Sequence, residues 1–226
     1  MSVKENLVNI HQRIAAAAKR AGRQPEQVTL VAVSKRQSLE AIKQAIFEGQ
    51  ECFGENYLQD AIEKITQFPQ AIWHFIGRIQ SNKAKVIAQH FDVVETVDRL
   101  KVAKMLDKHL SELGKTMGAY IQVNVGKEKQ KAGILPEDLE ALVERFQHFS
   151  HLTLVGLMTL PPYHDDPEMS RQYFQQLCQL ALSLESKQLV DYPLGLSMGM
   201  SGDFEVAVEE GATLVRVGTA IFGDRE

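Results

Sequence analysis

The chain has 226 residues, 44% of them hydrophobic and 24% charged, with 25 basic against 29 acidic side chains and a formal charge of −4. That composition excludes a disordered or fibrous chain, and the mild negative charge argues against sequence-independent nucleic-acid binding. No apolar run approaches the about 20 residues that cross a bilayer, and the start MSVKENLVNIHQRI is too polar and periodic for a signal peptide.

Val3, Leu7, Ile10, Ile14 and Ala18 recur at helical spacing and predict a helix over 3–21, ended by Gly22 with Pro25 just beyond. VTLVAVSK at 28–35 is apolar almost throughout, the pattern of a strand covered on both faces in a parallel sheet. Ser38 then reads as the N-cap of a helix over LEAIKQAIFEG. Further strands are expected at 51–53, 72–76, 93–96, 119–125, 152–158, 194–196 and 213–217. Helical patterns lie between them, near 57–66, 81–89, 99–112, 136–147, 168–185 and 203–210. Eight strands joined by helical crossovers fit a single (β/α)8 TIM barrel, with an open doubly wound sheet as the alternative. No linker divides the chain, so 1–226 reads as one domain with an extra N-terminal helix. Cys52 and Cys178, the only cysteines, form neither a metal pattern nor a disulfide framework, which points to a reducing, cytoplasmic compartment.

The chemistry gathers at strand ends. Lys35 shares a face with Thr29, Val31 and Val33. If that face points into the barrel, the amine emerges at the mouth. Poor solvation there favours the neutral form, which condenses with an aldehyde. A lysine snorkelling from a strand end is the other reading. In LGLSMGMSGDFEVAVEEG (194–211), Ser197, Gly199, Ser201 and Gly202 sit between a strand and a helix starting near Asp203. Small residues and free N–H groups there suit an anion, although a helix cap with turn glycines explains them too. TLVRVGTAIFG (213–223) projects Arg216 from one strand face, toward either a ligand or a strand-end carboxylate, and ends the strand at Gly218 and Thr219. Barrels often hold phosphate between the loops after strands seven and eight, where these two loops fall. Glu55, Asn56, His74, Gln80, Ser81, Asn82, Lys83, Asp98, Arg99 and Asn124 cluster at the same ends. Taken alone, His74 reads as a structural histidine and Ser81–Asn82 as a helix cap. The segment PPYHDDPE at 161–168 is the most loop-like, after strand six.

Other motifs fail. Gly114-Lys115-Thr116 lacks the leading glycine of a phosphate-binding loop. Gly195, Gly199 and Gly202 lack the dinucleotide spacing, and HExxH does not occur.

AVSK ending at Lys35, FGEN at 53–56, WHFIGRIQSNK at 73–83, QVNV at 122–125, GLMTLP at 156–161 and LSMGMSGDFEVAVEEGATLVRVGTAIFG at 196–223 resemble the pyridoxal phosphate homeostasis protein family. The resemblance implies an alanine-racemase-like barrel that holds pyridoxal 5′-phosphate (PLP) as a Schiff base on Lys35. It implies phosphate contacts from Ser201, Gly218 and Thr219, with Arg216 facing the pyridine nitrogen. Asn56, Met198 and Gly199 match residues lining the cofactor pocket. The implied role is a cytoplasmic PLP carrier or buffer in vitamin B6 homeostasis, delivering PLP to apo-enzymes with little or no catalysis of its own. No metal, nucleic acid or membrane partner is expected. A monomer is expected as well, because the dimerising β-domain of the alanine racemases has no counterpart after the barrel. Arg78 and the tail ending at Glu226 depart from the family pattern. An arginine only donates hydrogen bonds, so the ring nitrogen opposite Arg216 should stay unprotonated and a poor electron sink. Tyr57, on a mouth loop, is the one candidate for a second base, and nothing in the sequence sets it opposite Lys35. A PLP-dependent amino-acid racemase and a Schiff-base aldolase for a sugar phosphate are the competing readings.

Overall fold

Apolar strands need cover on both faces, and here a sheet closed on itself and wrapped in helices provides it. In the computed structural model, which describes residues 2–223, β1 (Thr29–Val33), β2 (Cys52–Glu55), β3 (Ile72–Phe75), β4 (Val93–Val97), β5 (Met117–Gln122), β6 (Leu152–Met158), β7 (Gly195–Ser197) and β8 (Leu214–Val217) form a closed barrel in chain order. All neighbours are parallel, and β1 pairs with both β2 and β8, so the open sheet is ruled out. The outer layer comprises α1 (Val3–Arg20), α2 (Leu39–Phe47), α3 (Leu58–Gln67), α4 (Ala84–His90), α5 (Leu100–Leu113), α6 (Leu139–Phe146), α7 (Arg171–Ser186), α8 (Phe204–Glu209) and α9 (Thr219–Phe222). The tail ending at Glu226 lies outside the described residues.

Period-two alternation along the strands makes two cores. Val31, Tyr120, Met158 and Leu214 fill the barrel interior. Phe53, Trp73, Ile42, Leu106, Leu110 and Phe174 pack between strands and helices, with the Phe53 and Trp73 rings 5.3 Å apart. Val31 thus points inward, and Val33 on the same face opens into the cavity at the mouth that Lys35 also lines.

The predicted N-terminal helix is α1, whose apolar stripe buries Leu7, Ile10, Ile14, Ala17 and Ala18. Ser2 and Glu5 cap it reciprocally, at 3.2 and 2.8 Å. It lies against α8 and α9, where Asn6 Nδ2 donates to the Ile221 carbonyl at 2.8 Å and Arg13 pairs with Glu205 at 2.9 Å. Burial dominates this contact. Each buried isoleucine contributes about 1.5–3 kcal/mol, against at most about 1 kcal/mol for an exposed ion pair.

The differences from expectation are local. β5 ends at Gln122 rather than at Val125. Beyond it Val123 makes only a bridge to Ile134, and Asn124 turns the chain by bonding both main-chain groups of Glu128, at 2.9 and 3.2 Å. The helices expected from 81, 136 and 168 are preceded by 3-10 turns at Ser81–Lys83, Pro136–Asp138 and Pro167–Ser170. Proline supplies the first position in the last two, where its missing N–H is no loss. Helix α9 was not foreseen, because four residues carry no periodic signal. Among the described residues no helix is long and apolar enough to cross a membrane.

Candidate functional site

The loops at the C-terminal ends of the strands enclose a cavity of about 510 Å³, within the usual range for small-molecule sites. Lys35 and Gln37 enter from the loop after β1, and Asn56 from the end of β2. Leu160 to His164 follow β6, Met200 to Asp203 follow β7, and Arg216, Gly218 and Thr219 come from β8 and the start of α9. Lys35 is half-buried in the turn that leaves β1.

The two loops expected to hold an anion are joined. Ser201 Oγ accepts from the Gly218 and Ala220 N–H groups at 3.3 and 3.4 Å. Gly218 lets the backbone pass close to β1, since a Cβ there would sit 3.2 Å from the Val33 carbonyl oxygen. The Asp203 carboxylate is occupied by the Met200 N–H at 2.7 Å, so it fixes the loop rather than capping α8.

Under the cavity lies a buried polar floor. Arg216 is 3% exposed and donates to the Thr159 carbonyl at 2.8 Å and to Ser197 Oγ. Ser197 Oγ in turn donates to Glu95 Oε2 at 2.6 Å, and that oxygen is 3.8 Å from Arg216 Nη1. The other Glu95 oxygen meets His74 Nδ1 at 2.7 Å. Arg216 therefore lines the cavity and also pairs with a carboxylate, one in mid-strand β4 rather than at a strand end. Burial works to raise the Glu95 carboxyl, but bonds from His74 and Ser197 and the Arg216 charge outweigh it and hold the group below the usual carboxylate range. Burial likewise pulls His74 down, yet its contacts with Cys52 and Glu95 lift it to about 9. At neutral pH the floor thus carries an imidazolium, a carboxylate and a guanidinium.

A second buried cluster sits between β1, β2 and α3. Lys64 Nζ donates to Glu55 Oε1 at 2.6 Å and to the Ser34 carbonyl at 2.7 Å, and Ser34 Oγ donates to Glu55 Oε1 at 2.8 Å. Glu55 Oε2 is buried without a partner among the described residues.

Of the residues singled out in the sequence, Lys35, Asn56, Ser201, Arg216, Gly218 and Thr219 line the one cavity. Met198 and Gly199 do not line it. Met198 is fully buried in the core, and Gly199, at φ +90°, has no room for a side chain because a Cβ would fall 2.6 Å from Ala207 Cβ. Tyr57, Gln80 and Lys83 line a neighbouring cavity, and Asp98 pairs with Arg99, which also donates to the Ile79 carbonyl at 2.9 Å. Sequence reasoning missed Glu95, Lys131 and His164, and it set Ser197 on the anion loop, whereas its hydroxyl bonds Glu95 and Arg216 in the floor. An acid inside the apolar strand VVETV was the available signal for Glu95. Lys131 and His164 reach the cavity on irregular loops, where no periodicity reports direction.

Two buried polar atoms in the cavity wall, Asn56 Oδ1 and His164 Nε2, lack partners among the described residues. An amine, a guanidinium, two joined glycine-bearing loops and these open polar positions fit a flat, phosphate-bearing ring.

Residues 6–226 match the family model described as alanine racemase, N-terminal domain. A pyridoxal phosphate homeostasis protein of Vibrio alginolyticus is 43% identical over 232 residues, covering 100% of this chain and 98% of that one. PipY of Synechococcus elongatus PCC7942, solved with PLP bound, is 35% identical with a TM-score of 0.85, over 98% of this chain and 100% of PipY. An alanine racemase of Clostridium difficile 630 shares the fold alone, at 14% identity and a TM-score of 0.71 over 95% of this chain and 59% of the racemase. The chain belongs to the pyridoxal phosphate homeostasis protein family, on a barrel of the alanine racemase N-terminal type.

Proposed function

We propose that this chain binds PLP in the cavity at the barrel mouth and serves cytoplasmic vitamin B6 homeostasis, buffering PLP or delivering it to apo-enzymes with little or no catalysis. The whole chain acts as one barrel domain and as a monomer. The observation that carries the reading is the convergence of a half-buried amine, a buried guanidinium and two loops joined through Ser201 on one cavity. The PLP-bound relative supports the same ligand.

PLP supplies an aldehyde that condenses with a primary amine and a phosphate that hydrogen-bond donors grip. Lys35 is the attachment amine. Ser201, Gly218 and Thr219 hold the phosphate. Arg216, kept in place by Thr159, Ser197 and Glu95, donates toward the ring nitrogen. Asn56 Oδ1 accepts from a ring substituent, while Met198 and Gly199 support the β7 loop from behind. Weak catalysis follows from Arg216. Its guanidinium has no lone pair with which to take a proton from the ring, and it cannot stabilise a positive ring nitrogen as a carboxylate would.

Absorption spectra before and after borohydride, with peptide mass mapping, test this. A violet band should vanish on reduction and leave a phosphopyridoxyl mass on Lys35, and Lys35→Ala should lose both while staying folded. No band after addition of PLP would refute the assignment and favour a sugar-phosphate aldolase. One observation keeps a racemase in view: His164 places a second titratable ring in the same cavity. Chiral chromatography after incubation with L-amino acids decides, and steady racemisation would overturn the carrier reading.

A further inference from the structure

A second cavity, of about 560 Å³, opens on the same mouth beside the first, and Asn56 lines both. Its charged lining consists of Arg36, Arg78 and Lys83 against one carboxylate, Asp60. Among the described residues none of these three cations pairs with a carboxylate. Elsewhere a single cation can gather several carboxylates, as Arg171 does with Glu168, Glu209 and Glu210. Three unpaired cations around one hollow repel one another until an anion enters.

The backbone is arranged to bring them together. Arg36 adopts φ +61°, a left-handed conformation that a side chain disfavours, and its guanidinium lies 5.7 Å from the Tyr57 ring centroid. Gly77 is held so close to the β2 loop that a Cβ would lie 2.3 Å from the Asn56 carbonyl oxygen, and this carries Arg78 beside the start of α3. Leu58, Gln59 and Asp60, the first turn of that ten-residue helix, line the cavity, and Tyr57 provides no side-chain cap for their N–H groups. Tyr57 is 47% exposed and offers a flat wall.

We propose that this second cavity binds a phosphate monoester that carries a planar ring, at a site distinct from the Lys35 cavity. Two guanidinium forks and one ammonium match the oxygens of a phosphate, the open α3 N–H groups add donors, and Tyr57 stacks on the ring.

The test uses the chain loaded with PLP and reduced by borohydride, so that the first cavity is filled. A phosphopyridoxyl mass on Lys35 checks that step separately, and its failure counts against the PLP reading alone. In that case the chain without PLP is titrated, and an equivalent sensitive to the substitutions below reports the site. Calorimetric titration of the loaded chain with pyridoxine 5′-phosphate, which lacks an aldehyde, should show one further equivalent. Inorganic phosphate should displace it. Arg78→Ser with Lys83→Ser should weaken it about tenfold with an unchanged melting temperature, the combined scale of two exposed charged contacts. Should the double variant misfold, Arg36→Ser alone should still weaken binding several-fold. Absence of further binding, binding indifferent to the substitutions, or equal binding of unphosphorylated pyridoxine would overturn the proposal.

Discussion

Glu55 and Glu95 are both fully buried and each faces a cation, yet their surroundings differ. Glu95 in β4 has both oxygens occupied, by His74 and Ser197, with Arg216 close by, and it stays ionised below the usual range. Glu55 at the end of β2 puts Lys64 and Ser34 on one oxygen and leaves the other bare. Burial prevails there, and its carboxyl is pushed up despite Lys64 and Ser34. Donors on both oxygens thus hold a buried carboxyl below its usual range, whereas one cation at 2.6 Å does not offset the burial of Glu55. The fully satisfied cluster is the one beneath the ligand cavity, where Arg216 must hold one direction.

The largest effect should come from neutralising each acid in turn. Glu95→Gln leaves the His74 and Arg216 cations buried together and should cost about 3–5 kcal/mol of stability in urea unfolding at pH 7. Glu55→Gln leaves Lys64 its bond to the Ser34 carbonyl and should cost about 1–2 kcal/mol. Equal losses would break the comparison.

A titration sharpens it. His74 binds its proton more tightly folded than unfolded, so its contribution is complete below the ordinary histidine value and is lost as pH rises through about 9. At 1.36 kcal/mol per pH unit this amounts to roughly 3 kcal/mol. Thermal melts from pH 7 to 10 should show the fall in the native chain and a flatter profile in His74→Gln. Glu95 adds the opposite limb, since its depressed carboxyl gives stability that is lost as pH drops below the ordinary range.

Strand positions and the alternation of β1 were legible in the sequence because burial imposes a period of two on each run, so Val31, Val33 and Lys35 could be set on one face. That the Ser201 and Gly218 loops lie at one end of the barrel was legible because serine and glycine sit at fixed places after short strands. What the sequence hid was pairing across the barrel. Glu95 and Ser197 lie 102 positions apart and meet only because β4 and β7 face one interior. The bend after β5 was hidden as well, since VNV continues the strand pattern while the Asn124 side chain, bonded to Glu128, turns the chain away. Gly199 was read as a pocket residue from its motif, but the motif does not reveal that α8 packs against it.

That glycine gives the smallest and most local test. The Gly199 carbonyl accepts from the Arg216 N–H at 3.0 Å, so it belongs to the backbone of the polar floor, whereas Gly202 belongs to the cavity loop. Gly199→Ala must tolerate φ +90° and a Cβ 2.6 Å from Ala207 Cβ, and should cost about 1–2 kcal/mol. Gly202→Ala meets nothing within 4 Å and should change stability by less than about 0.5 kcal/mol. Because the shift at Gly199 reaches Arg216 and not Lys64, combining Gly199→Ala with Glu95→Gln should give a non-additive loss, and combining it with Glu55→Gln an additive one. Additivity in both pairs would show that the β7 loop and the floor beneath it are independent.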